Sequence, residues 1–130
     1  MTGFAVNVAQ MLRTFHAAGY RLTAPIAHGP AGWIWRCQSN PSHLGSVIVT
    51  QAEHDDGIEW IHASIAFRTD TPSYRELALL HRAVFGRRRW AYQVFAPEEN
   101  HVNIHEHALH LWGRADGAAL LPDFGAHGSI

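Results

Sequence analysis

The fold is decided by the stretch SVIVTQAEHDDGIEWIHASIAF, residues 46–67. Ser46 to Ala52 is rich in β-branched residues, and Ile58 to Phe67 alternates with a period of two. That period sets Ile61, Ala63, Ile65 and Phe67 on one face of a strand and Trp60, His62, Ser64 and Ala66 on the other. Between the runs lies His54-Asp55-Asp56-Gly57. Asp-Gly supplies the positive φ of a tight turn, so Asp56-Gly57 is predicted to be a two-residue hairpin turn linking residues 46–52 to 58–67. One face of this hairpin is apolar and needs cover from another layer.

The cover is legible on both sides of the hairpin. Phe4, Val8, Met11, Leu12 and Phe15 recur on one helical face, which predicts a helix over residues 3–18, with Thr2 as cap and Gly19 as stop. Asp70-Thr71-Pro72-Ser73 opens a second helix, with Pro72 in its first turn. Its buried stripe is predicted to be Tyr74, Leu77, Ala78, His81, Val84 and Phe85, and Gly86 ends it. Residues 24–32 read as loop, 33–37 and 90–95 as strands, and 101–112 as an extended segment bent near Glu106. After Trp112 the glycines and Pro122 suggest an irregular tail. The order of elements predicts an α+β fold over residues 1–130, a single globular domain. Two helices would pack on one face of a largely antiparallel sheet, against Ile61, Ile65 and Phe67.

The chain has 130 residues, with ten basic and eleven acidic side chains and a net charge of −1. All ten basic residues are arginine. A near-neutral chain does not suit a general nucleic-acid binder. No apolar run approaches the ~20 residues that span a bilayer. Thr2-Gly3-Phe4 leads into an amphipathic pattern rather than a signal peptide, so a cytoplasmic location is expected. The one cysteine, Cys37, leaves no partner for an internal disulfide. Arg82, Arg87, Arg88 and Arg89 gather near the end of the second helix; a solvated helix terminus explains them, and an anion site is the sharper alternative.

The histidines carry the chemical interest. Four of the eleven, His101, His105, His107 and His110, fall within ten residues. On a strand, His101, Asn103, His105 and His107 share a face, and three imidazoles can hold a divalent ion. The metal candidates are therefore His101, His105 and His107. The spacing matches no metal motif, and neutral histidines shaping a polar pocket are the favoured reading, so a divalent metal is not the favoured cofactor. His62-Ala63-Ser64 has the form of one half of a two-histidine phosphoesterase, with His101-Val102-Asn103 as a degraded second half. His81 lies on an apolar stripe, where a histidine is usually a satisfied core group.

Further strings stand out: Trp60-Ile61-His62-Ala63-Ser64, Thr71-Pro72-Ser73-Tyr74, Tyr92-Gln93-Val94-Phe95, His101-Val102-Asn103-Ile104-His105, Leu109-His110-Leu111-Trp112 and Leu121-Pro122-Asp123-Phe124. Together they resemble an uncharacterised small domain family of bacteriophages and actinobacteria. The resemblance implies a small phage-type protein acting in a bacterial host cytoplasm. It carries no activity with it.

The expected function is a binding module with a histidine- and aromatic-lined polar pocket. Its partner would be a small anionic ligand or a host protein, held by His62, Ser64, Arg89, Asn103, His105 and His110. Trp60, Tyr92 and Trp112 would form the walls. One alternative is a metal-assisted or histidine-catalysed hydrolase in which His62 and His110 act as base and acid. Another is a plain interaction domain that forms a homo-oligomer.

Overall fold

A computed structural model describes residues 4–27, 29, 32–39, 44–67, 73–95, 107–118 and 128–129. In chain order the elements are α1 (Val8–Ala17), β1 (Arg21–Leu22), β2 (Ile26–Ala27), β3 (Gly32–Ser39), β4 (Leu44–Glu53), β5 (Glu59–Phe67), α2 (Tyr74–Val84), β6 (Ala91–Phe95), β7 (His107–Arg114) and β8 (Gly128–Ser129). Among the described residues every strand pairing is antiparallel. The sheet order is β1-β3-β4-β5-β7-β6-β8, with β2 paired to β3 beside β1. The two helices and this sheet make the expected α+β fold.

The hairpin of β4 and β5 forms as the alternation requires, but its turn is longer than predicted. Gly57 N–H donates to the His54 carbonyl and His54 N–H to the Ile58 carbonyl. The loop is thus Asp55-Asp56-Gly57, with Gly57 at φ 76°. A β-turn followed by a left-handed glycine is the usual three-residue hairpin loop. The side chains explain why it wins. The observed register pairs Val47 with Ile65 and Val49 with Ala63, core residue against core residue. A two-residue turn would slip the pairing by one and set Val49 opposite Ser64, mixing the two faces.

Helix α1 starts later than predicted, because Asn7 rather than Thr2 caps it and accepts from Gln10 N–H at 3.0 Å. Thr2 lies outside the described residues. Helix α2 is capped by Ser73, whose hydroxyl and Glu76 form a reciprocal capping box, and its first residue is Tyr74; Pro72 lies outside the described residues. Its buried arc is Leu77, Leu79, Leu80, Ala83 and Val84. Tyr74 and Ala78 fall on the other side of the helical wheel and are exposed, contrary to the predicted stripe. The segment predicted as loop before Trp33 contains β2, which pairs Ile26 with Ile34.

One apolar cluster joins the layers. Met11 and Phe15 of α1 and Leu80 and Val84 of α2 meet Trp35, Val47, Val49, Ile61, Ile65, Leu109 and Leu111 of the sheet. Fully burying one such side chain contributes about 1.5–3 kcal/mol. The alternate residues of the inner strands, His62 and Ser64 on β5 and His110 and Trp112 on β7, stand outside that cluster on the sheet's other face.

Candidate functional site

The helix-free face of the sheet carries a cleft of about 580 Å³ lined by Thr50, His54, Trp60, His62, Gln93, Phe95, His110 and Trp112. Strand register explains who meets whom. Thr50 pairs with His62, His62 with Trp112, and Gln93 with His110. Ser64 is directly opposite His110, so His62 and His110 are diagonal neighbours. Diagonal side chains reach each other when they are long or aromatic. Here His62 Nε2 and His110 Nδ1 are 2.9 Å apart, with the rings stacked at 5.0 Å between centroids. One imidazole donates its N–H to the lone pair of the other.

Aromatic rings frame this pair. The rings of Phe95 and His110 are perpendicular, 5.1 Å apart at 87°. His54, between β4 and the hairpin loop, lies 5.9 Å from Trp60. Trp60 is buried even though it is on the helix-free face. No Asp, Glu or Arg lines the cleft among the described residues.

The environment keeps the pair uncharged. Burial, reinforced by repulsion from the charged forms of His110 and His54, pulls the His62 imidazole down to about 4. Burial also lowers His110. Charging an imidazole inside an apolar wall costs hydration that nothing there replaces. At neutral pH both rings are neutral, and each neutral imidazole carries one donor and one acceptor.

The predicted site residues are distributed as follows. His62 and His110 converge. Ser64 shares their face beside His110 but does not line the cleft. Arg89 is exposed in the connection from α2 to β6 and lies outside the lining; its carbonyl instead faces Gly113. Tyr92 is not a cleft wall. It pairs with Leu111 on the helix-bearing face and stacks on Trp90 at 5.3 Å. His101, Asn103 and His105 lie outside the described residues. His107 is the first residue of β7, opposite Phe67, and its side chain is likewise outside them. Among the described residues no three His, Cys, Asp or Glu side chains are placed to hold a metal ion. Thr50, His54, Gln93 and Phe95 are lining residues that sequence reasoning missed; the hairpin register would have found Thr50 opposite His62.

Two other features resolve as structure rather than chemistry. His81 donates from Nε2 to the Arg88 carbonyl at 3.0 Å and stacks on Trp90 at 5.0 Å. Arg88, from the arginine group, donates to the carbonyls of Ala115, Phe85 and Ala5 at 2.9, 3.4 and 3.2 Å. It ties the N-terminal segment, the end of α2 and the end of β7 together. A larger hollow of about 670 Å³ beside Tyr20, Ser73 and Arg82 is lined in part by Glu76, whose carboxylate accepts from the Tyr20 hydroxyl at 3.1 Å and completes the Ser73 capping box, so its paired groups anchor helix α2.

The chain belongs to the DUF7694 family, described as a domain of unknown function, which matches residues 52–116. The match begins at the end of β4 and ends just beyond β7, so it takes in every lining residue except Thr50. No curated protein and no solved structure matches the chain. No helix among the described residues is long and apolar enough to cross a membrane.

Proposed function

We propose that this member of the DUF7694 family is a binding module for a small molecule, and that its site is the cleft on the helix-free face of the sheet. The observation that carries the reading is the hydrogen-bonded His62–His110 pair inside an aromatic-walled cleft of about 580 Å³. Ligand sites are typically concave, mostly apolar, and provided with a few convergent polar groups. The cleft has that composition: Trp60, Phe95 and Trp112 for contact area, and Thr50, Gln93 and the two imidazoles for orientation. Arg89 plays no part in this reading, because it stands outside the lining. The resemblance to a phage and actinobacterial domain family supports a setting in the cytoplasm of a bacterial cell.

A fragment screen followed by NMR tests the reading. Bound fragments are expected to move the indole N–H resonances of Trp60 and Trp112. Trp112→Ala is expected to abolish those shifts with the thermal unfolding transition retained. A screen in which no fragment perturbs the cleft, or a variant that binds as the parent does, refutes it.

The same pair favours one second reading. Two imidazoles 2.9 Å apart can divide the work of base and acid in a hydrolysis. Turnover of an ester or phosphodiester, lost in both His62→Phe and His110→Phe, would establish that activity. Retention of turnover in either variant would exclude this assignment.

A further inference from the structure

We propose that the ligand of this cleft is an uncharged planar heterocycle presenting a hydrogen-bond donor beside an acceptor, as the N–H and C=O of a cyclic amide do. The inference rests on the cleft being a ligand site and adds the chemical class of the ligand.

The first argument is a count of hydrogens. Two neutral imidazoles carry two N–H groups and two lone-pair nitrogens between them. The contact between His62 Nε2 and His110 Nδ1 uses one of each. What remains is one donor and one acceptor, at His62 Nδ1 and His110 Nε2. If His62 donates to His110, then His62 Nδ1 is the acceptor and His110 Nε2 the donor. If the shared proton belongs to His110, the two roles exchange. Either way the pair keeps one donor and one acceptor; their order exchanges when the shared proton crosses between Nε2 and Nδ1 while a second proton passes through water from one outer nitrogen to the other, so both rings stay neutral. Neither outer nitrogen has a hydrogen-bond partner among the described residues.

The second argument is charge. Among the described residues the lining has no guanidinium and no carboxylate. A charged ligand would exchange its hydration for neutral groups, which is costly. A neutral ligand does not meet that penalty. The third is shape. The walls are the rings of Trp60, Phe95 and Trp112, and aromatic walls stack flat rings well. Gln93, directly opposite His110 on β6, adds a second donor–acceptor group to the floor. The ligand's ring thus has faces to stack and an edge to read.

The test uses three probes of one ring system. Uracil is the neutral cyclic amide. 1,3-Dimethyluracil keeps the ring and carbonyls but has no N–H. Orotate keeps the N–H groups and adds a carboxylate. Each is titrated into the full chain, with the Trp60 and Trp112 indole resonances and the imidazole resonances of His62 and His110 as readouts. Uracil is expected to saturate these shifts; 1,3-dimethyluracil is expected to bind at least about tenfold more weakly because it lacks the hydrogen-bonded edge, and orotate at least about tenfold more weakly because its carboxylate gives up hydration to neutral groups. In His110→Phe, which keeps an aromatic ring and removes the pair, uracil is expected to lose its advantage over 1,3-dimethyluracil. Equal or tighter binding of 1,3-dimethyluracil or orotate by the parent protein overturns the ligand class and leaves the cleft a binding site. No saturable shift from any of the three also overturns the class. The fragment screen then decides separately whether the cleft binds small molecules. The parent protein alone supplies the decisive comparison, so a variant that fails to fold does not spoil the test.

Discussion

Acidification should destabilise this protein through His62, because its imidazole is pulled down to about 4 in the folded chain. The ordinary value of 6.5 applies once the chain unfolds. As pH falls through 6.5 the unfolded chain takes up a proton that the folded site refuses. Unfolding is favoured increasingly until the folded imidazole itself titrates near 4. The stability contributed by this site is therefore complete above about pH 7.5 and is lost between 6.5 and 4. Linkage puts the loss at pH 5 at about 2 kcal/mol and the limiting loss at about 3 kcal/mol. His110 is shifted in the same direction and adds to the effect. Against a typical total stability of about 5–15 kcal/mol, that is a large fraction. The assay is urea unfolding at pH 7.5 and pH 5.0, on the parent protein and on His62→Phe, which retains an aromatic ring and cannot titrate. Histidines distant from the pair contribute nearly equally to both proteins and largely cancel. The parent is expected to lose about 2 kcal/mol more than the variant on acidification. Equal losses would refute the reasoning, as would an imidazole resonance for His62 that titrates near 6.5.

Three other outcomes are expected. Gly113→Ala should destabilise by about 2 kcal/mol or more, since a Cβ there would stand 2.3 Å from the Arg89 carbonyl; an unchanged denaturation midpoint would show that this connection yields freely. Arg88→Met should lower stability by about 2 kcal/mol or more, because the carbonyls of Ala115, Phe85 and Ala5 lose one shared donor. Arg88→Lys should recover little of it, as an ammonium lacks the fork that spans three carbonyls, and full recovery would contradict that account. Glu76→Ala should cost about 1–2 kcal/mol, since the carboxylate completes the α2 capping box and accepts from the Tyr20 hydroxyl. A thermal transition within error of the parent's would rule that out.

Some of this architecture was legible from residue order, and some was not. Alternation in β5 separated Ile61, Ala63, Ile65 and Phe67 from His62 and Ser64, because period-two geometry is a property of the strand itself. Turn length was misread, because the Asp56-Gly57 dipeptide is compatible with both two- and three-residue loops. Only the pairing of Val47 with Ile65 and Val49 with Ala63 chooses between them. The same register brings Thr50 to the cleft, so one local ambiguity hid a lining residue. Tyr92 falls on the other face, which residue order does not disclose, because a five-residue strand with one polar residue, Gln93, has little polar contrast to read. The meeting of His62 and His110, 48 positions apart, was proposed from polarity. Its diagonal geometry depends on β7 lying beside β5, which no local pattern encodes. Arg89 was proposed for its charge, and the tight approach of its carbonyl to Gly113 was invisible before the layers were assembled.

The strand order also bears on how fast the cleft can be filled. His62 and Trp60 lie on β5, held by β4 and β7; His110 and Trp112 lie on β7, held by β5 and β6; Thr50 lies on β4, held by β3 and β5. Each of these residues is mounted on backbone bonded along both edges, and of the described lining residues His54 alone lies outside a strand. Such a floor is set before any visitor arrives. For a ligand bound as proposed, little ordering entropy would remain to be lost on capture, and encounter rather than rearrangement would govern arrival. Differences among such ligands would then reside in how long each one stays.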